Sequence, residues 1–271
     1  MKLCISALFS LIMLLNSCNL KKDQSVKFTK MVFNLNVPNQ KIEFDKWVKV
    51  NLSDNVNDSI SNRYKRNAAT KDTLIDQSYE DGNYRINGYC RGEWGGFVEF
   101  FNKKKKKFYK MESTCPLLID FREGQYYVLA SLAHGDGFTS IKMVENPEKL
   151  TDSTGYKLLL DTFSITANQF FPYKKDNYLI FINENQTLLG KYNNNKIITV
   201  DTILNRKLPA QPFMNYIKNG IYVNEIYRHI TWGLSTETNR HEKTTGWIYV
   251  KKDTIVVGYQ YKEWFANGFD E

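Results

Sequence analysis

The stretch LAHGDGFTS, residues 132–140, holds the densest set of reactive side chains in the sequence. His134 and Asp136 stand two apart, with Ser131 and Ser140 on either side. Two chemistries use these types. A histidine and a carboxylate can share a metal ion, or the carboxylate can orient a histidine that takes the proton of a serine nucleophile. A metal needs three or four converging ligands. The remaining histidines, His229 and His241, lie far along the chain. A nucleophile needs a base held at hydrogen-bond distance, which spacing alone does not fix. Gly135 and Gly137 flank Asp136, and that arrangement equally suits a plain turn. No Gly-x-Ser-x-Gly elbow, His-Glu-x-x-His helix or phosphate loop is present in the sequence. No residue is therefore assigned as catalytic, cofactor-binding or metal-ligating. A secreted hydrolase of glycan or peptide, using His134 and Asp136, is the enzymatic alternative to a binding or structural role.

Aromatic residues make up 14% of the chain, with 17 Tyr, 17 Phe and 5 Trp. Exposed rings stack on sugars, but large aromatics also fill cores and favour strands. Trp94, in EWGG beside flexible glycines, is the first choice for a ligand face, with His134 and Asp136 as its companions. The run NKKKKKF, residues 102–108, has two readings. It is either a solvated hairpin tip or a contact with anionic headgroups, each cation contributing about 1 kcal/mol near such a surface.

Period-two alternation dominates the elements that must position these residues. In KIEFDKWVKV, Ile42, Phe44, Val48 and Val50 share one phase, and in DTIVVGYQYK so do Ile255, Val257, Tyr259 and Tyr261. Strands are expected there and at 84–89, 96–102, 108–114, 126–132, 139–145, 156–165, 178–183, 187–192, 196–204, 221–227 and 246–251. Residues 51–82 read as a long loop with one strand inside it. QPFMNYIKNG is expected to form a short helix capped by Gly220. Tyr84, Tyr126, Tyr178 and Tyr222 each follow turn residues at a strand start. Their spacing matches propeller blades of roughly 40–50 residues, about five of which would use up the chain. The expected fold is all-β and antiparallel, propeller-like, with a sandwich or barrel as the alternative.

The N-terminus supplies the address. Lys2 precedes an apolar run from Leu3 to Leu15, too short to cross a bilayer, which needs about 20 residues. Leu15-Asn16-Ser17-Cys18 then resembles the lipobox of bacterial lipoproteins, with Asn16 departing from the usual small residue. The resemblance implies cleavage before Cys18, a thioether lipid on its sulfur and an acyl chain, palmitate for example, on its new amino group. One acyl chain holds a membrane marginally and two or more hold it firmly. Asn19, rather than Asp, favours the outer membrane. The expected organisation is a signal peptide over 1–17, a flexible tether over 18–30 and a single all-β domain over 31–271. The segment CRGEWGGFVEFF, the Thr-Cys-Pro at 114–116 and the stretch from Gln125 to Leu150 are also similar to bacterial secreted lipoproteins whose activity is uncharacterised. That likeness implies an extracytoplasmic β protein and carries no chemistry.

Outside the cytosol, an even pair of cysteines tends to oxidise. Cys4 leaves with the signal and Cys18 carries lipid, so Cys90 and Cys115 remain. They sit at the outer ends of the 96–102/108–114 hairpin and are expected to form a disulfide, with two buried thiols as the alternative. The net charge is +8. For an envelope protein this fits anionic lipid or polysaccharide surfaces, and nucleic acid is not an expected partner. The expected partners are a membrane, through the lipid on Cys18, and a glycan or an envelope protein. The reading is a binding or structural lipoprotein of the bacterial envelope, without cofactors, on either the periplasmic or the surface side.

Overall fold

The computed structural model describes residues 26–52, 77–92, 95–132, 137–183, 186–205, 208, 212–229 and 240–265. Residues 1–17, expected to form a signal segment, and Cys18, Trp94, His134 and Asp136 lie outside the described residues. Four antiparallel meanders follow one another along the chain. Sheet 1 contains β2 (Gln77–Glu80), β3 (Tyr84–Cys90), β4 (Gly96–Asn102) and β5 (Lys107–Glu112). Sheet 2 contains β6 (Pro116–Arg122), β7 (Gln125–Leu132), β8 (Phe138–Val144) and β9 (Lys157–Phe163). Sheet 3 contains β10 (Thr166–Tyr173), β11 (Asp176–Asn183), β12 (Gln186–Asn193) and β13 (Lys196–Leu204). Sheet 4 contains β14 (Pro212–Lys218), β15 (Ile221–His229), β16 (Arg240–Lys251) and β17 (Thr254–Phe265).

The first strands gather at the centre: β2 touches β6 and β14, and β6 also touches β10 and β14. The arrangement is propeller-like, as expected, and is not a closed barrel. It has four sheets among the described residues rather than five. Each of the repeating tyrosines opens the second strand of one sheet: Tyr84 in β3, Tyr126 in β7, Tyr178 in β11 and Tyr222 in β15. Two-residue turns with positive φ close several hairpins, at Glu123-Gly124, Asn194-Asn195 and Asn219-Gly220.

The antiparallel expectation has one exception. β1 (Thr29–Asn34) adds to the free edge of β17 in parallel, from Thr29 opposite Thr254 to Asn34 opposite Tyr259. Phe28 is buried against Phe171 and Tyr178, so packing against the described sheets begins before residue 31. QPFMNYIKNG contributes strand β14 and not a helix. Asn219-Gly220 is its hairpin turn into β15, with Lys218 opposite Ile221.

KIEFDKWVKV lies in helix α1 (Pro38–Leu52), not in a strand. Pro38 starts the helix, where a missing N–H costs nothing. Phe44, Val48 and Leu52, four apart, form the buried stripe, whereas Ile42 is 51% and Val50 82% exposed. That stripe packs on Val223, Trp247, Tyr249 and Val256 of sheet 4. Gly258 permits the contact, since a Cβ there would run into the Phe44 ring.

Three clusters fill the spaces between sheets. Ile86, Val98 and Phe100 of sheet 1 meet Ile119, Tyr126 and Val128 of sheet 2. Leu129 and Ile141 of sheet 2 meet Phe170, Leu179 and Phe181 of sheet 3. Phe171, Ile180 and Leu189 of sheet 3 meet Ile248, Val250 and Val257 of sheet 4.

Polar ties lock the sheets in register. A bulge between Ala167 and Gln169 turns the Asn168 carbonyl toward sheet 4. It accepts from Asn215 Nδ2 at 2.9 Å and Asn224 Nδ2 at 2.8 Å. Cys90 and Cys115 are disulfide-bonded, as expected, and join β3 to the start of β6. Tyr126 donates to Asp81 Oδ2 at 2.6 Å, and the N–H groups of Asn83 and Tyr84 donate to Oδ1.

Burial alone would raise the Asp81 carboxyl. The Tyr126 hydroxyl, the two backbone N–H groups and nearby Lys103 outweigh it and hold the group below the ordinary aspartate value. A depressed folded pKa contributes stability that is present above about pH 4 and is lost as the pH falls through the folded value. Asp81→Asn should therefore lower the urea midpoint at pH 7 and flatten its decline on acidification; an unchanged acid limb would contradict the assignment. Phe44→Ala should destabilise by about 3–5 kcal/mol, and Val50→Ala by no more than about 0.5 kcal/mol, in urea denaturation. Equal losses at the two positions would contradict the helix.

Candidate functional site

Alternation along sheet 1 sends one set of side chains inward and leaves the other on an open face. Ile86, Val98, Phe100 and Met111 point to the cluster shared with sheet 2. The opposite phase forms three rows across β3, β4 and β5. Arg85, Phe101 and Phe108 form the first row, Asn87, Glu99 and Lys110 the second, and Tyr89, Phe97 and Glu112 the third. Phe97 and Phe101 are half-buried and Phe108 is 54% exposed. Four residues separate Phe97 from Phe101 along β4, about 13 Å at the rise of a strand.

Rings occur in pairs at both ends of this lattice. Tyr89 and Phe97 stack with centroids 4.4 Å apart and planes 24° apart. Phe101 and Phe108 lie 4.7 Å apart, tilted by 40°. Cations sit on both pairs. Lys110 Nζ is 4.4 Å and Arg91 Cζ 5.2 Å from the Phe97 centroid. Arg85 Cζ is 5.1 Å and Lys106 Nζ 5.8 Å from the Phe101 centroid. Each such contact is worth about 0.5–1 kcal/mol at an exposed position, enough to orient a cation without neutralising it. Among the described residues, no carboxylate lies within ion-pair distance of Arg85, Arg91 or Lys106. Lys110 stands 4.0 Å from Asp152. The middle row offers an amide, a carboxylate and an ammonium group for hydrogen bonding.

The lysine run has a different character at its tip. Lys103 pairs with Glu80 at 2.7 Å and Lys105 with Glu148 at 2.6 Å. These pairs lower the Glu80 carboxyl and raise the Lys105 ammonium relative to their ordinary values. Part of the run's charge is thus answered locally.

Other sequence candidates sit elsewhere. Ser131 is fully buried, donates to the Phe138 carbonyl at 2.8 Å and lies 3.2 Å from Thr139 Oγ1. Thr139 in turn bonds the Ile165 carbonyl, so this is a structural network. Ser140 is also buried. His229 and His241 are on strands of sheet 4, whereas the strands flanking His134 belong to sheet 2. Among the described residues, no group of three or more His, Cys, Asp or Glu side chains could hold a metal ion. No described helix is long and apolar enough to cross a membrane.

One interior cluster carries charge. Tyr222 donates to Asp120 Oδ2 at 2.8 Å, and Arg122 Nη1 lies 3.5 Å from the same oxygen. The guanidinium sits over Tyr127 at 4.2 Å and Phe170 at 4.7 Å. Burial first, then the Asp120 charge, push the Tyr222 hydroxyl well above its ordinary value. Tyr222 is therefore a fixed donor linking sheets 2 and 4, not a base.

Exposed Phe108 makes a useful control for the open face. Phe108→Ala should shift the unfolding free energy by no more than about 0.5 kcal/mol, because no buried cluster rests on it; a loss as large as that of Phe44→Ala would show that the face is covered.

No family model matches the chain, and no curated protein matches it. Among solved structures, one described as a new family of polysaccharide lyase, PL25 ulvan lyase, aligns with a TM-score of 0.35 and 11% identity. The alignment covers 65% of this chain and 46% of that one. Another, described as Bacteroides ovatus xyloglucan PUL GH43B, aligns with a TM-score of 0.36 and 10% identity, over 73% of this chain and 53% of its own. The chain thus matches about half the length of each.

Proposed function

We propose that this chain is a lipid-anchored protein of the bacterial envelope, held by Cys18, whose β body binds a partner without catalysis. The observation that carries the binding role is the open face of sheet 1. Large apolar rings on a sheet face are normally buried, and rings left half-buried or exposed beside cations mark a candidate interaction site. Here the rings Tyr89, Phe97, Phe101 and Phe108 are paired, ordered by register and edged by cations. The lipobox resemblance at Leu15–Cys18 supports the anchor. The disulfide between Cys90 and Cys115 suits an oxidising compartment. Asn19 after the cysteine favours the outer membrane.

Two measurements test the reading separately. Cys18→Ala should move the protein from the membrane pellet to the soluble fraction; unchanged partition would overturn the anchor. The soluble Cys18→Ala protein should sediment with isolated, detergent-stripped envelope, and adding Phe97→Ala and Phe101→Ala should reduce that retention several-fold. Retention indifferent to the two rings would overturn the binding face.

A further inference from the structure

We infer that the open face of sheet 1 takes an acidic polysaccharide, a chain of pyranose rings carrying carboxylate or sulfate groups. This rests on the face being a binding surface and names what it binds. The two ring pairs, one stacked and one tilted by 40°, present apolar platforms about 13 Å apart along one strand, a spacing set by backbone rise and not by flexible loops. Such platforms suit the apolar C–H faces of sugars within a short oligosaccharide. Cations stand over the rings of each pair, within reach of the acidic substituents of a docked sugar: Lys110 and Arg91 at Phe97, Arg85 and Lys106 at Phe101.

The middle row suits a glycan. Asn87 and Glu99 stand opposite each other between the platforms. A carboxylate at the centre accepts hydrogen bonds from the hydroxyls that a sugar presents between its acidic groups. The lysines best placed to reach a membrane, at the 103–106 turn, are in part committed to Glu80 and Glu148. Hydroxyl donors flanked by acidic groups on a flat ring are what the whole lattice complements.

The test uses the soluble full-length Cys18→Ala protein in calorimetric titration. The probes are polygalacturonate, its methyl ester, dextran sulfate, dextran and vesicles containing anionic phosphatidylglycerol. Binding to polygalacturonate or dextran sulfate should exceed binding to the matching neutral polymer by about tenfold or more, a difference of about 1.4 kcal/mol. The stronger of the two acidic polymers identifies the acidic group. Phe97→Ala with Phe101→Ala should abolish the preference, and Arg85→Glu with Lys110→Glu should weaken acidic binding while the melting temperature stays near that of the parent. Phe108→Ala, at an exposed position, gives the same direction if the double ring variant fails to fold.

Equal binding of neutral and acidic polymers would overturn the proposal, as would acidic binding that survives loss of the rings, which is plain charge attraction. Vesicle binding that polygalacturonate does not displace would overturn it too. If no polysaccharide binds while ring-dependent retention on stripped envelope persists, the ligand class falls and the binding face stands; if both fail, both fall.

Discussion

A β-sheet has two faces, and each apolar face must be covered. That constraint organises the whole molecule. Sheets 2 and 3 are covered on both sides by their neighbours. Sheet 4 is covered by sheet 3 and, on its other side, by α1 through Phe44, Val48 and Leu52. Among the described residues, sheet 1 shares a buried cluster on one side only. Its remaining face sets Tyr89, Phe97, Phe101 and Phe108 among Arg85, Asn87, Glu99, Lys110 and Glu112. The proposed binding surface lies where the stacking of the described sheets ends.

The interior shows why the four sheets hold one arrangement. Apolar contacts are non-directional and would tolerate sliding of one sheet on another. Asn215 and Asn224 converge on a single carbonyl exposed by the bulge at Asn168, and Tyr222 reaches Asp120 across two sheets. A misplaced register would strand these donors in an apolar setting, at about 1–3 kcal/mol each. The side-chain amides of Asn168 and Gln169 have no hydrogen-bond partner among the described residues, so the centre is built for specificity more than for maximum stability.

Much of the fold is legible in the sequence, and the failures have identifiable causes. The recurrent tyrosine was readable because every sheet uses it at the same place, the opening of its second strand. Helix α1 is ambiguous in the sequence because residues four apart satisfy both periods: Phe44 and Val48 share a face in a strand and in a helix alike. Leu52, one further step along, extends the helical stripe, and Val50, 82% exposed, breaks the strand pattern. Asn219-Gly220 suits both a helix cap and a hairpin turn, and the pairing of Lys218 with Ile221 selects the turn. The candidate face was hidden by redundancy. In Phe97-Val98-Glu99-Phe100-Phe101 both phases contain aromatics, so the sequence does not say which phase faces the core; pairing with β3 and β5 does. Trp94, the residue singled out as a ligand contact, lies in the β3–β4 connection, beside this face in sequence but outside the described residues.

The pairing of β1 with β17 has a consequence for the order of events during biosynthesis. Thr29 leaves the ribosome among the earliest residues of the body, yet its neighbour in the ladder is Thr254. The segment made first therefore cannot complete its ladder until the last strand has been made. Until that ladder closes the edge of β17 offers unpaired amide groups to any passing strand, and the amino-terminal portion remains unfastened. Completion of the native state is in this sense a single late clasp, made between the two extremes of the folded body.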